Sequence, residues 1–265
     1  MENSFQKKFQ ISIIGSGNIA WHISHAFVKA GHTINQVYSR NKITAKELAH
    51  GCNAEFNPSL DFSKTTSQIF VLAVPDAAIM DVVSAIKLPP GSLLLSVSGS
   101  FPLQLLCKSW KRAAVMYPLQ TFTKKTNLDF SEIPILFEAF DPEVYLIIKE
   151  LADSISKNVL EASSSTREKI HVAAVFASNF TNCMLSISKN ILEKENVDFK
   201  ILQPLVQETI RKAFTIGPNQ SQTGPAARGD NHTLQKHLDL LRGEENFKNI
   251  YNQVSKQISK TVNNP

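Results

Sequence analysis

Gly15-Ser16-Gly17-Asn18-Ile19-Ala20 directly follows the apolar run Phe9-Gln10-Ile11-Ser12-Ile13-Ile14, and that order decides the fold. A buried strand running into a glycine turn and then a helix makes a phosphate site. Gly15 allows the tight turn, and Gly17 removes the Cβ that would block a pyrophosphate from the backbone. Ala20, standing for a third glycine, keeps the helix close to the sheet. The helix expected from Asn18 to about Ala30 aims its free N–H groups, Asn18 and Ile19 among them, and its positive dipole end at the phosphates. Gly31 stops that helix as a C′ residue. A lone G-x-G-x-x-A also occurs in methyltransferases and plain turns; its place between strand and helix makes a dinucleotide site the expectation.

Strand and helix signals alternate outward from this turn. Strands are expected at Thr33–Tyr38, Gln68–Val74, Ser92–Val97, Ala113–Tyr117, Pro134–Phe140 and Val159–Ala162. Helices are expected at Thr44–His50, from an Asp76 cap to about Lys87, at Pro102–Lys111 and from Pro142 to about Ser156. The runs of Val, Ile and Leu suit strands covered on both faces, so the fold class is an α/β Rossmann fold with a doubly wound, mostly parallel sheet. From Ser165 the pattern turns helical. Ser165-Thr166-Arg167-Glu168 reads as a capping box opening a long helix to about Glu195. Helices near 198–214, from an Asp230 cap to Leu241, and near 244–262 follow. Residues 1–162 are therefore read as a dinucleotide-binding domain and 163–265 as an all-α domain.

Bulk properties narrow the function. With 43% apolar and 19% charged residues among 265, the chain has ordinary globular composition. The net charge of +5 is spread out, with no run of five cations, which disfavours nucleic acid. Cys52, Cys107 and Cys183 form no metal-spaced cluster, so free thiols and no metal are expected. Met1–Lys8 lacks a leader-like apolar core, and nothing approaches 18 consecutive apolar residues. A cytoplasmic protein without a membrane span is the expectation.

The cofactor follows from the end of the second strand. NAD-selective sites place an Asp or Glu there for the ribose 2′-OH. This chain has Asn35-Gln36-Val37-Tyr38-Ser39-Arg40-Asn41-Lys42, with no acid. Arg40 can clamp a 2′-phosphate with Ser39 donating beside it, so NADP (NADPH) is expected over NAD.

Gly15 to Ala20, Val74-Pro75-Asp76 and Ser98-Gly99 together resemble the Rossmann domains of pyrroline-5-carboxylate reductase, β-hydroxyacid dehydrogenases and deazaflavin-dependent NADP reductases. Three further segments are Tyr117–Phe122, His171–Phe180 and Thr223–Asp230. They resemble a set of bacterial NADP oxidoreductases that join a Rossmann domain to a 6-phosphogluconate-dehydrogenase-like C-terminal domain of unknown function. The resemblance spans nearly the whole chain and implies a fold, an NADP cofactor and a helical dimerisation domain, hence a homodimer. β-Hydroxyacid dehydrogenases carry Lys and Asn four apart on the first long helix, Lys being the proton donor. Asn179 fits the asparagine, whereas Val175 stands where that lysine would be. Many relatives also carry His where Tyr117 stands.

The candidate site gathers at the carboxyl ends of the strands, where doubly wound folds bind ligands. Val74, Pro75 and Ser98 are candidates for cofactor contact beside Gly15, Ser16 and Gly17. His171 and Tyr117 are candidate acid/base groups, and Asn179 completes the catalytic set. Asn182, three residues on, would share its helix face; Asn182, Gln120 and Arg228 are candidate substrate contacts. The expected activity is hydride transfer between NADPH and a small carbonyl or imine. The alternatives are a non-catalytic NADP-binding or sensing dimer and, more weakly, a methyltransferase.

Overall fold

The structure, a computed structural model, describes residues 7–263. Met1–Gln6, part of the stretch read for a leader pattern, lies outside them. The chain packs into two compact units that divide between Ser178 and Asn179.

In the first unit β1 (Gln10–Ile14), α1 (Asn18–Lys29), β2 (Thr33–Tyr38), α2 (Lys42–Gly51) and β3 (Glu55–Phe56) form the opening half. There follow β4 (Ile69–Leu72), α3 (Asp76–Ala85), β5 (Leu93–Ser96), α4 (Leu103–Ser109), β6 (Ala113–Pro118), β7 (Ile135–Ala139), α5 (Pro142–Asp153), β8 (Val159–Glu161) and α6 (Ser164–Ala174). The eight strands lie in the order β3-β2-β1-β4-β5-β6-β7-β8. Every pairing is parallel except β6 with β7. The order reverses between β1 and β4, which creates the crevice where such sheets bind ligands.

Alternation within single strands builds both faces. Ile69 and Val71 point into a core shared with α1, α2 and α5. Phe70 and Leu72, one residue out of phase, point into a second core with α3 and α4. Burial on both sides explains why β4 reads as an unbroken apolar run.

Several boundaries differ from the sequence expectation. The helix expected from a Ser165 capping box starts at Ser164, because Ser163 has the extended backbone of an N-cap and accepts from the Thr166 N–H. Asp76 opens α3 instead of capping it; Pro75 holds the cap position, and the Asp76 carboxylate accepts from the Ser100 hydroxyl. The two-residue strand β3 is too short to give a periodic signal. After α6 the backbone widens into a π-helical turn, Val175–Phe180, where the sequence reading assumed regular α-helix.

A buried ion pair fixes the start of α6. Arg167, fully buried, meets Glu138 of β7 and donates to the carbonyls of Ala162 (2.9 Å) and Phe101 (3.3 Å). Ser164 bridges the same cluster, donating to Glu138 at 2.7 Å and accepting from the Leu103 N–H. The Arg167 Nε finds no partner among the described residues, so a charge so placed is tolerable only because Glu138 and the two carbonyls meet its terminal nitrogens. His171, four residues beyond Arg167, is carried on the same helix face.

The second unit comprises α7 (Thr181–Lys194), a 3₁₀ turn at Phe199–Leu202, α8 (Gln203–Ile216), α9 (Pro225–Arg228), α10 (Asn231–Leu240) and α11 (Glu245–Asn263). Within the expected loop 217–229, Pro225 starts the short helical turn α9 and Gly229, at φ 68°, ends it. Ala226 is the one described residue of this unit that is buried. Phe214 is 90% exposed, and Leu205, Ile210 and Ile191 are exposed as well.

The helical run 164–194 reaches a mean hydropathy of 1.3 over 18 residues, with none of that window buried. It is thus long and apolar enough by composition to cross a membrane. The count of uninterrupted apolar residues does not register it, because polar side chains interrupt the run.

Candidate active site

The glycine turn is built as its sequence demands. Gly15 adopts φ +119°, and a Cβ there would lie 2.1 Å from the Ala73 carbonyl oxygen. Its N–H donates to the Tyr38 carbonyl at 2.7 Å, so the turn is bonded to β2 and crowded against the end of β4. Gly17 differs: a Cβ there would meet nothing within 4 Å. It holds the N-cap position of α1, and no side chain caps the first turn. The leading N–H groups therefore face open space at the positive end of the helix dipole.

One cavity of about 520 Å³ joins these features. Its walls include Gly15, Ser16, Gly17, Ser39, Arg40, Val74 and Pro75, seven of the ten residues named from sequence for the cofactor. Arg40 is exposed and makes no ion pair within 4.0 Å among the described residues, so its guanidinium is available to an anion. Asn18 and Ile19 open α1, but the Ile19 side chain packs on the core, leaving its backbone N–H as its contribution. Ser98 lies outside the cavity wall. Its hydroxyl oxygen accepts from the N–H groups of Ser100 (3.3 Å) and Phe101 (3.0 Å), shaping the turn after β5.

Sequence reasoning missed other wall residues. Thr44 joins α2 to the glycine turn through a 2.6 Å hydroxyl contact with Ser16. It lies three residues past the Asn41 cap, a spacing that was visible in the sequence. Leu60, Asp81 and Lys124 reach the cavity from segments distant in sequence and carry no local signal.

A second constellation lies in the same unit. The Tyr117 hydroxyl is 3.1 Å from Nδ1 of His171, and the rings meet edge to face at 5.9 Å. Gly99 makes room for this, since a Cβ there would come within 2.7 Å of the Tyr117 ring. Burial pushes the Tyr117 phenol above its ordinary pKa. The hydrogen bond between the phenol and Nδ1 can run either way, according to the His171 tautomer. Gln120, two residues past β6, is exposed, and its side-chain oxygen accepts from the Thr121 N–H.

The remaining candidates belong to the second unit. Asn179 sits in the π turn and Asn182 in α7, both exposed. Asn179 thus occupies a wide turn of a type that recurs at functional sites. Arg228, exposed at the end of α9, makes no ion pair within 4.0 Å among the described residues. Asp230 caps α10 by accepting from Thr233 instead. Among the described residues no three His, Cys, Asp or Glu side chains are grouped to hold a metal ion.

Comparison with known proteins bears on this geometry. Residues 10–99 match a family described as "NADP oxidoreductase coenzyme F420-dependent", and residues 133–258 match "Domain of unknown function (DUF2520)". The crystal structure of "putative NADP oxidoreductase BF3122" from Bacteroides fragilis is 32% identical over 96% of this chain and 98% of its own, with a TM-score of 0.86. The chain belongs to this NADP oxidoreductase family. Its members' cofactor is NADP(H), and the open glycine cradle with Ser39 and Arg40 fits that group. The chain also shares its fold with a reductive aminase from Aspergillus terreus in complex with NADPH and ethyl-5-oxohexanoate. That match has 14% identity, covers 97% of this chain and 99% of the other, and has a TM-score of 0.73. An imine reductase from Myxococcus stipitatus in complex with NADP+ is 18% identical over 96% of this chain and 93% of its own, with a TM-score of 0.62. No curated protein matches this chain.

Proposed function

We propose that the protein is an NADPH-dependent oxidoreductase acting on a small carbonyl or imine. The observation that carries this reading is the single cavity uniting the glycine turn with Ser39-Arg40 and Val74-Pro75. The N–H groups of Gly17, Asn18 and Ile19 would hold a pyrophosphate, and Ser39 and Arg40 a 2′-phosphate. NADPH bound there supplies the hydride. Tyr117 and His171 hold a proton in reach of exchange across the contact between the phenol and Nδ1. Asn179, assigned to the catalytic set, and Asn182, Gln120 and Arg228 are the proposed substrate-side groups. The carbonyl class is suggested by the keto ester in the reductive aminase structure.

The same proposal places a functional boundary near residue 162, with 1–162 serving the cofactor and 163–265 serving substrate and dimerisation. From Asn179 on, Ala226 is the one buried residue among those described, and exposed Phe214, Leu205 and Ile210 supply an apolar face for a second copy. Light scattering should give twice the 29.4 kDa chain mass; a monomer would sink the dimer. A reducing cytoplasmic setting suits the free thiols of Cys52, Cys107 and Cys183.

One observation favours a second reading. Val175, at the start of the π turn, cannot serve as the proton donor that a lysine provides in related dehydrogenases. A non-catalytic NADP-binding or sensing dimer follows if no other donor acts. NADPH consumption in a panel of ketones, aldehydes and cyclic imines, with and without amines, decides between them. Turnover of any member supports the oxidoreductase, and binding without turnover supports the sensor.

A further inference from the structure

Lys124 comes from the long loop between β6 and β7, which sequence alone does not connect to the glycine turn. Its side chain, 25% exposed, forms part of the cavity wall together with Arg40, Thr44 and Gly17. It is drawn across the top of α1, with Nζ 5.0 Å above the Trp21 ring and 3.5 Å from the Glu47 carboxylate on α2. The loop is pinned there by His22, whose Nε2–H donates to the Thr123 carbonyl at 2.9 Å, and by Phe122 against the His22 ring. Glu47 lies three residues past Thr44, so the ammonium is parked on the α2 face that borders the cavity.

From this we infer that Lys124 is a second cation for the 2′-phosphate, acting with Arg40, and that Glu47 holds it in place until the cofactor arrives. The inference rests on assigning the cavity to NADPH. A long flexible ammonium in a part-exposed pair is easily redirected, because such pairs are weak, while a phosphate dianion offers stronger charge-assisted hydrogen bonds. The anchored loop keeps the Lys124 backbone beside the cavity, and rotation about the side chain moves the charge from Glu47 to the phosphate. Lys124 thereby becomes a determinant of NADPH over NADH.

Calorimetric titration with NADPH and NADH tests this on the full-length protein and on Lys124→Met, Lys124→Arg and Glu47→Gln. Lys124→Met should weaken NADPH about tenfold and leave NADH within about twofold. Lys124→Arg should keep most of the affinity, and Glu47→Gln should tighten NADPH about two- to threefold by releasing the lysine. Equal weakening of both cofactors would put the ammonium on the pyrophosphate and overturn the assignment. Unchanged NADPH binding in Lys124→Met, with the parent protein binding NADPH, would overturn it while leaving the cofactor assignment intact. Failure of the parent protein to bind either cofactor would instead remove the reading on which it rests.

Discussion

The Tyr117 hydroxyl lies 3.1 Å from Nδ1 of His171, in a unit where Gly99 leaves room for the tyrosine ring and Arg167 anchors the helix that carries the histidine. Tyr117 lies in the buried strand β6 and His171 lies 54 residues away on α6, so only the fold makes them a pair. In the proposed reaction this pair is the proton reservoir that a lysine provides in related dehydrogenases.

Removing the hydroxyl with Tyr117→Phe should lower kcat by about 10²- to 10⁴-fold while leaving the NADPH Kd unchanged. The pH dependence has a defined sign. Burial raises the phenol, so its proton is retained up to and beyond the ordinary value near ~10 and lost only as pH rises through the higher one. The alkaline limb of kcat should thus fall above pH ~10 in the parent protein and be absent from the residual activity of Tyr117→Phe. An unchanged kcat in the variant would remove Tyr117 from the reaction.

Gly15 and Gly17 should respond oppositely to the same substitution. Gly15→Ala forces a Cβ to within 2.1 Å of the Ala73 carbonyl at a positive φ, and should cost about 2 kcal/mol or more of stability, lowering Tm by about 5 °C or more. Gly17→Ala meets no atom and should leave Tm within about 1 °C, yet weaken NADPH about tenfold or more by filling the cradle. Thermal denaturation and titration on the two variants separate the roles. A Gly17→Ala protein that binds NADPH normally would show that the cradle is not used.

The alternation of strands and helices, the glycine turn and the missing acid after β2 were legible because each is a local pattern with a local cause. The doubly wound sheet follows from them, down to Gly31 ending α1 at φ +87°. Lys124, Leu60 and Asp81 were invisible because the cavity collects them from three separate loops and helices, and loop conformation leaves no periodicity. The Ser163 cap was missed for a subtler reason. Several of the consecutive serines at 163–165 fit the cap pattern, and the tertiary contact of Ser164 with Glu138 chose among them. The π turn at Val175–Phe180 likewise follows no residue-level rule in an apolar helix.

Titration of the parent protein and Arg40→Ala with NADPH and NADH tests the central claim most directly. The account predicts NADPH binding at low micromolar Kd or tighter, NADH at least about tenfold weaker, and loss of that difference in Arg40→Ala, since a bidentate guanidinium–phosphate contact contributes about 1.5–3 kcal/mol. Failure of the parent protein to bind either cofactor, or an undiminished NADPH preference in Arg40→Ala, would contradict it.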